Sequence, residues 1–440
     1  VNPTLPPGSF NAHWYNFFNA LSFQIMMGAP IILFTKSLGA SSTVIGIVAS
    51  FTPLMTIFQL PAARFLDRFG YREFVLMGWG LRTVLIFVVA SVPMLSFLDD
   101  QSKMAVLLAI LFIFNLLRGI SSAAWMPWIA ELIPEARRGR FLSLDQLFMY
   151  AGCLISLAVS AVVMAGQVDP WEYSLVFFVS ALGGVMSLVF IKRIPEVSSP
   201  DSVKRSSTPV PWRAMMAYPP FLRIIVFNLL YMAVVGSLGV FTVEYLKETI
   251  GFDVSTVLVL SGFSFIGALI ALPFCGRFID RTGSKPLLIA ATALFFFVIL
   301  GWFLLSSSVL PPSFILVACL NLVTGAASAS FNLGNVRIVM ATMPEMGRNH
   351  FFALFTVITS LGLGASPVVW GLTLDAIGTI DIAAGIFTIK RHSVYFLALL
   401  VFNILSALAI RLLVENPSAQ SQEPNLVYAR LKRGSKFWHR

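Results

Sequence analysis

Arg118 stands alone in an apolar stretch that carries no other charge between Lys103 and Glu131. Placing an arginine at the centre of a bilayer costs at least ~2.5 kcal/mol, so a role is expected of it. A guanidinium can hold a carboxylate or phosphate through two parallel hydrogen bonds. It could also serve proton coupling, or pair with an internal carboxylate or carbonyls. Asn115, Arg118, Ser122 and Trp125 are spaced three, four and three apart and share one helical face. A second stripe, Asn321, Thr324, Ser328, Asn332 and Asn335, repeats the pattern. Further neutral groups are Asn228, Tyr231 and Thr242 in one segment and His13, Asn16, Asn19 and Gln24 in another. Such groups on apolar helices must face protein or water. One asparagine alone is explained by an interhelical hydrogen bond, which contributes only ~0.6 kcal/mol on average. The whole set is better explained by a shared cavity.

Proton transfer is the second chemistry to consider. It needs a group that titrates between two states, usually a carboxylate or histidine. Asp145, His13 and Glu131 are the candidates, and Asp145 leads because it is expected inside the membrane boundary. Without a deeper carboxylate, uniport or exchange stays open. No Gly-Lys-Ser/Thr phosphate loop, hydrolase triad or metal-ligand spacing is visible, so no enzyme and no cofactor is expected.

The elements that position these groups follow from composition. The chain of 440 residues is 58% hydrophobic and 11% charged. Soluble domains carry roughly 25% charged residues, and so little polar surface cannot cover so much apolar area in water. Spanning helices of ~20 residues in lipid are the alternative. Apolar runs lie at about 10–34, 43–65, 74–98, 104–131, 141–166 and 173–193, and again at 221–246, 255–276, 286–308, 313–341, 351–378 and 393–414. The expected class is an all-α membrane protein of twelve transmembrane helices in two six-helix repeats. Its halves are 1–195 and 220–414, with a Pro/Ser-rich linker at 196–219 and a basic tail at 415–440. Pro30, Pro53, Pro127 and Pro367 interrupt runs, which membrane helices tolerate when neighbours satisfy the freed backbone. The first run lacks a basic leader and a small-residue cleavage site, so a retained helix is expected.

The net charge of +10 does not call for nucleic acid. With both ends inside, 22 Lys/Arg fall on the cytoplasmic side and five outside: Lys36, Lys103, Lys247, Lys390 and Arg391. This is the positive-inside bias. A cytoplasmic membrane, in bacteria the inner one, and a monomer surrounded by lipid are expected. The three cysteines fall in separate apolar runs and are expected to be core residues.

Two halves of one ancestry are visible directly. Arg64-Phe-Leu-Asp67-Arg68-Phe-Gly70 returns as Arg277-Phe-Ile-Asp280-Arg281-Thr-Gly283. The stretch from Asn115 through Gly119 to Trp125 is echoed from Asn321 through Gly325 to Phe331. Pro134-Glu135 with Arg138 and Phe141 matches Pro344-Glu345 with Arg348 and Phe351. The three matches keep their order at offsets of 206 to 213 residues.

These loops resemble the signatures of the major facilitator superfamily. Ala63, Asp67, Arg68, Gly70 and Arg72 fit its motif after helix 2, with Ala63 where glycine is usual, and Gly276, Asp280, Arg281, Gly283 and Lys285 fit the second copy. Glu131-Leu-Ile-Pro134-Glu-Ala-Arg-Arg138-Gly139 is similar to the motif after helix 4. The resemblance implies a central site between the halves, lined by the first and fourth helix of each. It implies a gating role for Asp67, Arg68, Arg72, Glu131, Arg138, Asp280, Arg281, Lys285 and Arg348, which would latch the cytoplasmic side when the outside is open. Arg118 takes the place of the antiporter-type arginine, with Ser122 where glycine is expected. Gln146 matches a sugar-contacting glutamine of sugar porters, whose paired glutamines on helix 7 are absent here.

The function expected is alternating-access secondary transport of a small organic solute, with proton-coupled efflux included. Substrate contacts would come from Asn16, Asn19, Gln24, Asn115, Arg118, Gln146, Asn228, Tyr231 and Asn332. Uptake or exchange of an anionic metabolite or a sugar is the alternative. A transport-inactive assembly factor or receptor is the alternative of another class.

Overall fold

The structure is a computed structural model that describes residues 7–196, 217–342 and 348–413. The linker and tail anticipated from composition lie almost wholly outside the described residues. Twelve helices are long and apolar enough to cross a membrane. They are α1 Asn11–Ser37, α2 Ser42–Ala62, α3 Tyr71–Met94, α4 Asp100–Ile129, α5 Phe141–Val163 and α6 Pro170–Lys192, then α7 Pro219–Ile250, α8 Val254–Ile279, α9 Ser284–Ser306, α10 Phe314–Thr342, α11 Phe352–Ile377 and α12 Arg391–Leu412. The even number brings both described ends to one face of the bundle, the terminal face; the other is the distal face.

Local chemistry sets the breaks. α1 is interrupted at Gly28, whose backbone turns extended (φ −98°, ψ −154°) two residues before Pro30. Proline lacks the donor for the preceding turn and clashes with it, so the helix restarts there. The α2–α3 and α8–α9 turns rest on Gly70 (φ 73°, ψ 165°) and Gly283 (φ 89°, ψ −175°). That backbone region is essentially closed to other residues. Both glycines belong to the repeated loop motif, so the repetition in sequence is a repetition in backbone.

The repeat extends to packing. Gly119 of α4 lies against the backbone carbonyl of Met55 on α2, and Gly325 of α10 lies against that of Ser264 on α8. A side chain at either would collide with main chain. Small residues that let helix backbones touch are the usual means of association where lipid offers no hydrophobic driving force.

Between the halves, α2 packs on α11. Gly46 faces the Pro367 carbonyl, Gly371 faces that of Ser42, and Leu54 meets Gly364. α5 packs on α8 through the Ser255 hydroxyl, which donates to the Ala161 carbonyl at 2.8 Å, and through Tyr150 and Phe265, with ring centroids 6.2 Å apart. These contacts run from the distal ends to mid-helix.

Two features were not anticipated. A β-hairpin, β1 Asp381–Ala384 and β2 Phe387–Lys390, links α11 to α12 and turns at Gly385 (φ 63°). Cys319 is exposed, whereas Cys153 and Cys275 are buried as expected. Cys319 is thus a surface residue of α10 and not a core one.

Candidate functional site

A cavity of about 240 Å³ lies between α1 and helices α7, α8 and α10. Its polar lining comes from Gln24, Thr242, Ser261, Ser264, Asn321 and Thr324, and Gly28, at the break in α1, forms part of the wall. Gln24 is the member of the expected contact set that reaches it. Asn321 and Thr324, from the second stripe, reach it as well.

Arg118 does not line this cavity. Its guanidinium sits over the Phe23 ring, 4.5 Å from the centroid. Phe23 is the residue before Gln24 on α1, so the arginine contact and the cavity wall are adjacent positions of one helix. It is partly exposed, and it makes no hydrogen bond or ion pair among the described residues.

Arg82 of α3 is the contrasting case. It is fully buried, donates from Nη2 to Asn19 Oδ1 at 2.5 Å, and lies over Trp79 and Phe114 at 4.7 and 5.2 Å. The Trp79 indole N–H donates to the same Asn19 oxygen at 3.0 Å. Nε and Nη1 of Arg82 have no partner.

Asp145, His13 and Asn16 form one cluster where α5 meets the start of α1. Asp145 Oδ1 lies 3.2 Å from His13 Nδ1, and Asn16 donates to Asp145 Oδ2 at 2.9 Å. His13 and Asp145 are both buried, and Phe141 and Phe148 pack against the histidine ring at a tilt. The carboxylate that sequence reasoning put first among the proton-coupling candidates therefore has the second candidate as its direct partner.

The remaining residues divide by environment. Asn115 is buried and closed by Thr52, which donates to its Oδ1 at 2.8 Å. Asn228 exchanges hydrogen bonds with Asn335 at 3.1 and 2.8 Å, and Tyr231 is buried in a stack on Phe331. These three tie helices together within one half. Gln146 and Asn332 are exposed, and no partner is recorded for either side chain among the described residues.

The loop residues expected to gate are engaged within their own halves where their side chains are described. Arg72 pairs with Glu196 at 3.1 Å, Tyr71 donates to Glu131 at 3.1 Å, and Lys285 donates to the Leu413 carbonyl at 2.8 Å. Arg68 is exposed. The side chains of Asp67, Arg138, Asp280, Arg281 and Arg348 lie outside the described residues.

Ion pairs that bridge the halves occur on the distal face, and sequence reasoning missed them. Glu244 of α7 is buried between Lys36 of α1 at 3.4 Å and Arg391 of α12 at 3.3 Å. Glu248 meets Lys36 at 2.8 Å and Arg391 at 3.2 Å. Ser42 of α2 donates its hydroxyl to Glu244 at 2.6 Å. The backbone N–H groups of Ser42 and Thr43 donate to Asp375 of α11 at 3.1 and 2.8 Å. Lys36 and Arg391 had been counted only as the charge minority of the outer loops. The signal available was that Glu244, Glu248 and Asp375 fall at the outer ends of the seventh and eleventh runs, on the same side as Lys36 and Arg391.

Two corresponding sets of six apolar helices, meeting at a seam that holds a polar cavity, define a duplicated membrane protein. The chain belongs to the Major Facilitator Superfamily, whose family description matches residues 14–320 and again 228–433. It is 26% identical over 190 residues to YwtG of Bacillus subtilis (strain 168), a protein named for metabolite transport, covering 42% of this chain and 39% of that one. It is 21% identical over 296 residues to a chloroplast protein of Oryza sativa subsp. japonica named as an anion transporter, covering 60% and 47%. The chain thus matches less than half the length of either relative. Among solved structures it resembles a D-xylose-proton symporter (TM-score 0.74, 16% identity, 92% and 97% coverage) and the nucleoside transporter NupG (TM-score 0.66, 12% identity, 92% and 98% coverage). At these identities the likeness is one of fold.

Proposed function

We propose that this chain is a secondary transporter that carries a small organic solute across a cytoplasmic membrane by alternating access. The observation that carries this reading is the network of Lys36, Ser42, Glu244, Glu248, Asp375 and Arg391, which joins the halves on the distal face. Ion pairs between two rigid bodies on one side of a central cavity are what holds one of two states closed. With the terminal face taken as cytoplasmic from the positive-inside bias of the sequence, the state described is closed to the outside. Among the described side chains of the terminal-face loops, Arg72, Glu131 and Lys285 are engaged within their own halves, as an unlatched face requires. The relatives' names and those of the similar structures cover metabolite, anion, sugar and nucleoside cargo, which supports a small solute without choosing among these.

The test is flux with the distal face locked. Thr43→Cys with Asp375→Cys places a thiol pair across the halves where the two residues now hydrogen-bond. Solutes that stabilise the purified protein thermally are assayed for exchange in liposomes. Cross-linking should stop exchange and reduction should restore it. Exchange that continues through a locked distal face refutes alternating access, and Arg118→Ala that leaves every flux unchanged refutes its role in the pathway.

A further inference from the structure

Among the described residues of the first half, Arg82 and Arg118 lie within apolar helices without a carboxylate partner. Arg82 and Arg118 lie within electrostatic reach of each other and of Tyr15. The carboxylate in the same field, Asp145, is already held by His13 and Asn16. Glu131, further toward the terminal face, accepts from Tyr71. Arg82 keeps two buried nitrogens, Nε and Nη1, without an acceptor, and the Arg118 guanidinium lies over the Phe23 ring. An unpaired guanidinium away from water is among the most costly groups a membrane protein can hold. Arg82, buried with donors to spare, and Arg118, partly exposed one helix away, together make a site suited to an anion.

We propose that the cargo carries a carboxylate or phosphate group, which Arg118 binds directly while Arg82 and Asn19 supply the field and the neutral hydrogen bonds behind it. This rests on the carrier reading and narrows it to anionic solutes. Arg118 is the contact residue because it is the one with exposed surface. Its planar fork matches both oxyanions, and the low dielectric around Phe23 and Trp79 strengthens the attraction. Arg82 is a positioning residue, fixed by Asn19 and sandwiched by Trp79 and Phe114. The apolar part of the solute would extend past Phe23 toward the cavity at Gln24.

The test uses the full chain in detergent. Thermal unfolding is followed with inorganic phosphate and with succinate, against sodium chloride of equal ionic strength and against glucose as a neutral solute. Either oxyanion should raise the unfolding temperature of the native protein, and which one does so tells phosphate from carboxylate recognition. Arg118→Gln should weaken that response by about tenfold to a hundredfold in apparent affinity, as expected for loss of a charge-assisted hydrogen bond. Arg118→Lys should recover part of it. Arg82→Met should leave the free protein as stable or more so, since it removes orphaned donors, yet diminish the anion response. An arginine that was only structural would give the opposite pair of results. The proposal is overturned if neither oxyanion stabilises the native protein, or if the response persists in Arg118→Gln. If a neutral solute is instead exchanged by the native protein and blocked by the distal cross-link, the anion site is lost and the carrier reading stands. If the cross-link has no effect on any exchange, the carrier reading is what fails.

Discussion

Glu244 of α7 and Lys36 of α1 belong to opposite halves of the repeat, and they meet 3.4 Å apart with the carboxylate fully enclosed. Arg391 approaches the same oxygen from α12, and the Ser42 hydroxyl donates to it from α2. One carboxylate therefore joins the outer ends of four helices. Glu244→Gln keeps the shape and removes the charge. Charge-assisted hydrogen bonds contribute ~1.5–3 kcal/mol, so the closed distal state should lose at least about tenfold in population. Spin-label distances across the distal face of the purified variant should lengthen, and unchanged distances would remove Glu244 from the gate.

The α2–α11 contact gives a steric route to the same shift. A methyl group on Gly46 would collide with the Pro367 carbonyl, and one on Gly371 with that of Ser42. Overpacking of this kind costs ~1–3 kcal/mol, and only in the state where the helices touch. Gly46→Ala should favour the outward-open state, read as faster labelling of a cysteine placed at Thr43. Gly80, whose added Cβ would meet nothing within 4 Å, is the control and should leave labelling unchanged as Gly80→Ala.

Asp145 faces His13 and Asn16 in a buried cluster near the terminal face. Asp145→Asn retains the size of the side chain but cannot exchange a proton. Accumulation of solute driven by a pH gradient should be lost, while exchange at equal pH should continue. Accumulation that survives the substitution would place coupling elsewhere.

Gly70 and Gly283 turn the chain in backbone regions that other residues enter at a cost of ~1–3 kcal/mol. Gly70→Ala should lower the unfolding temperature, and Gly283→Ala should do so as well. A neutral outcome at either would mean that the turn relaxes without loss.

Span number and duplication were legible in the sequence because both are one-dimensional signals. A run of about twenty apolar residues has few other uses, and Arg64–Gly70 with Arg277–Gly283 is a match of consecutive letters. The seam was only partly legible. Periodicity put Asn115, Arg118 and Ser122 on one face, but it could not tell which side chains find partners across the interface. Asn115 closes onto Thr52 and Asn228 onto Asn335, while Arg118 stays open, and these outcomes depend on helix rotation and depth. The distal network was hidden for the same reason. Glu244, Asp375 and Arg391 are more than a hundred residues apart in places, and their meeting needs four helix ends to converge. The β-hairpin was overlooked because strands of four residues between two long apolar runs read as an ordinary loop.

The correspondence of Gly119 with Gly325 has an implication for how cargo preference changes. Both copies keep the glycine that seats one helix backbone on another, yet one position before it the first copy has Arg118 and the second has Thr324. At this position the two copies share the frame and differ in the charge beside it. Selection, or an engineer, could therefore retune what is carried by editing a handful of positions in the first copy, leaving the architecture that both copies share untouched.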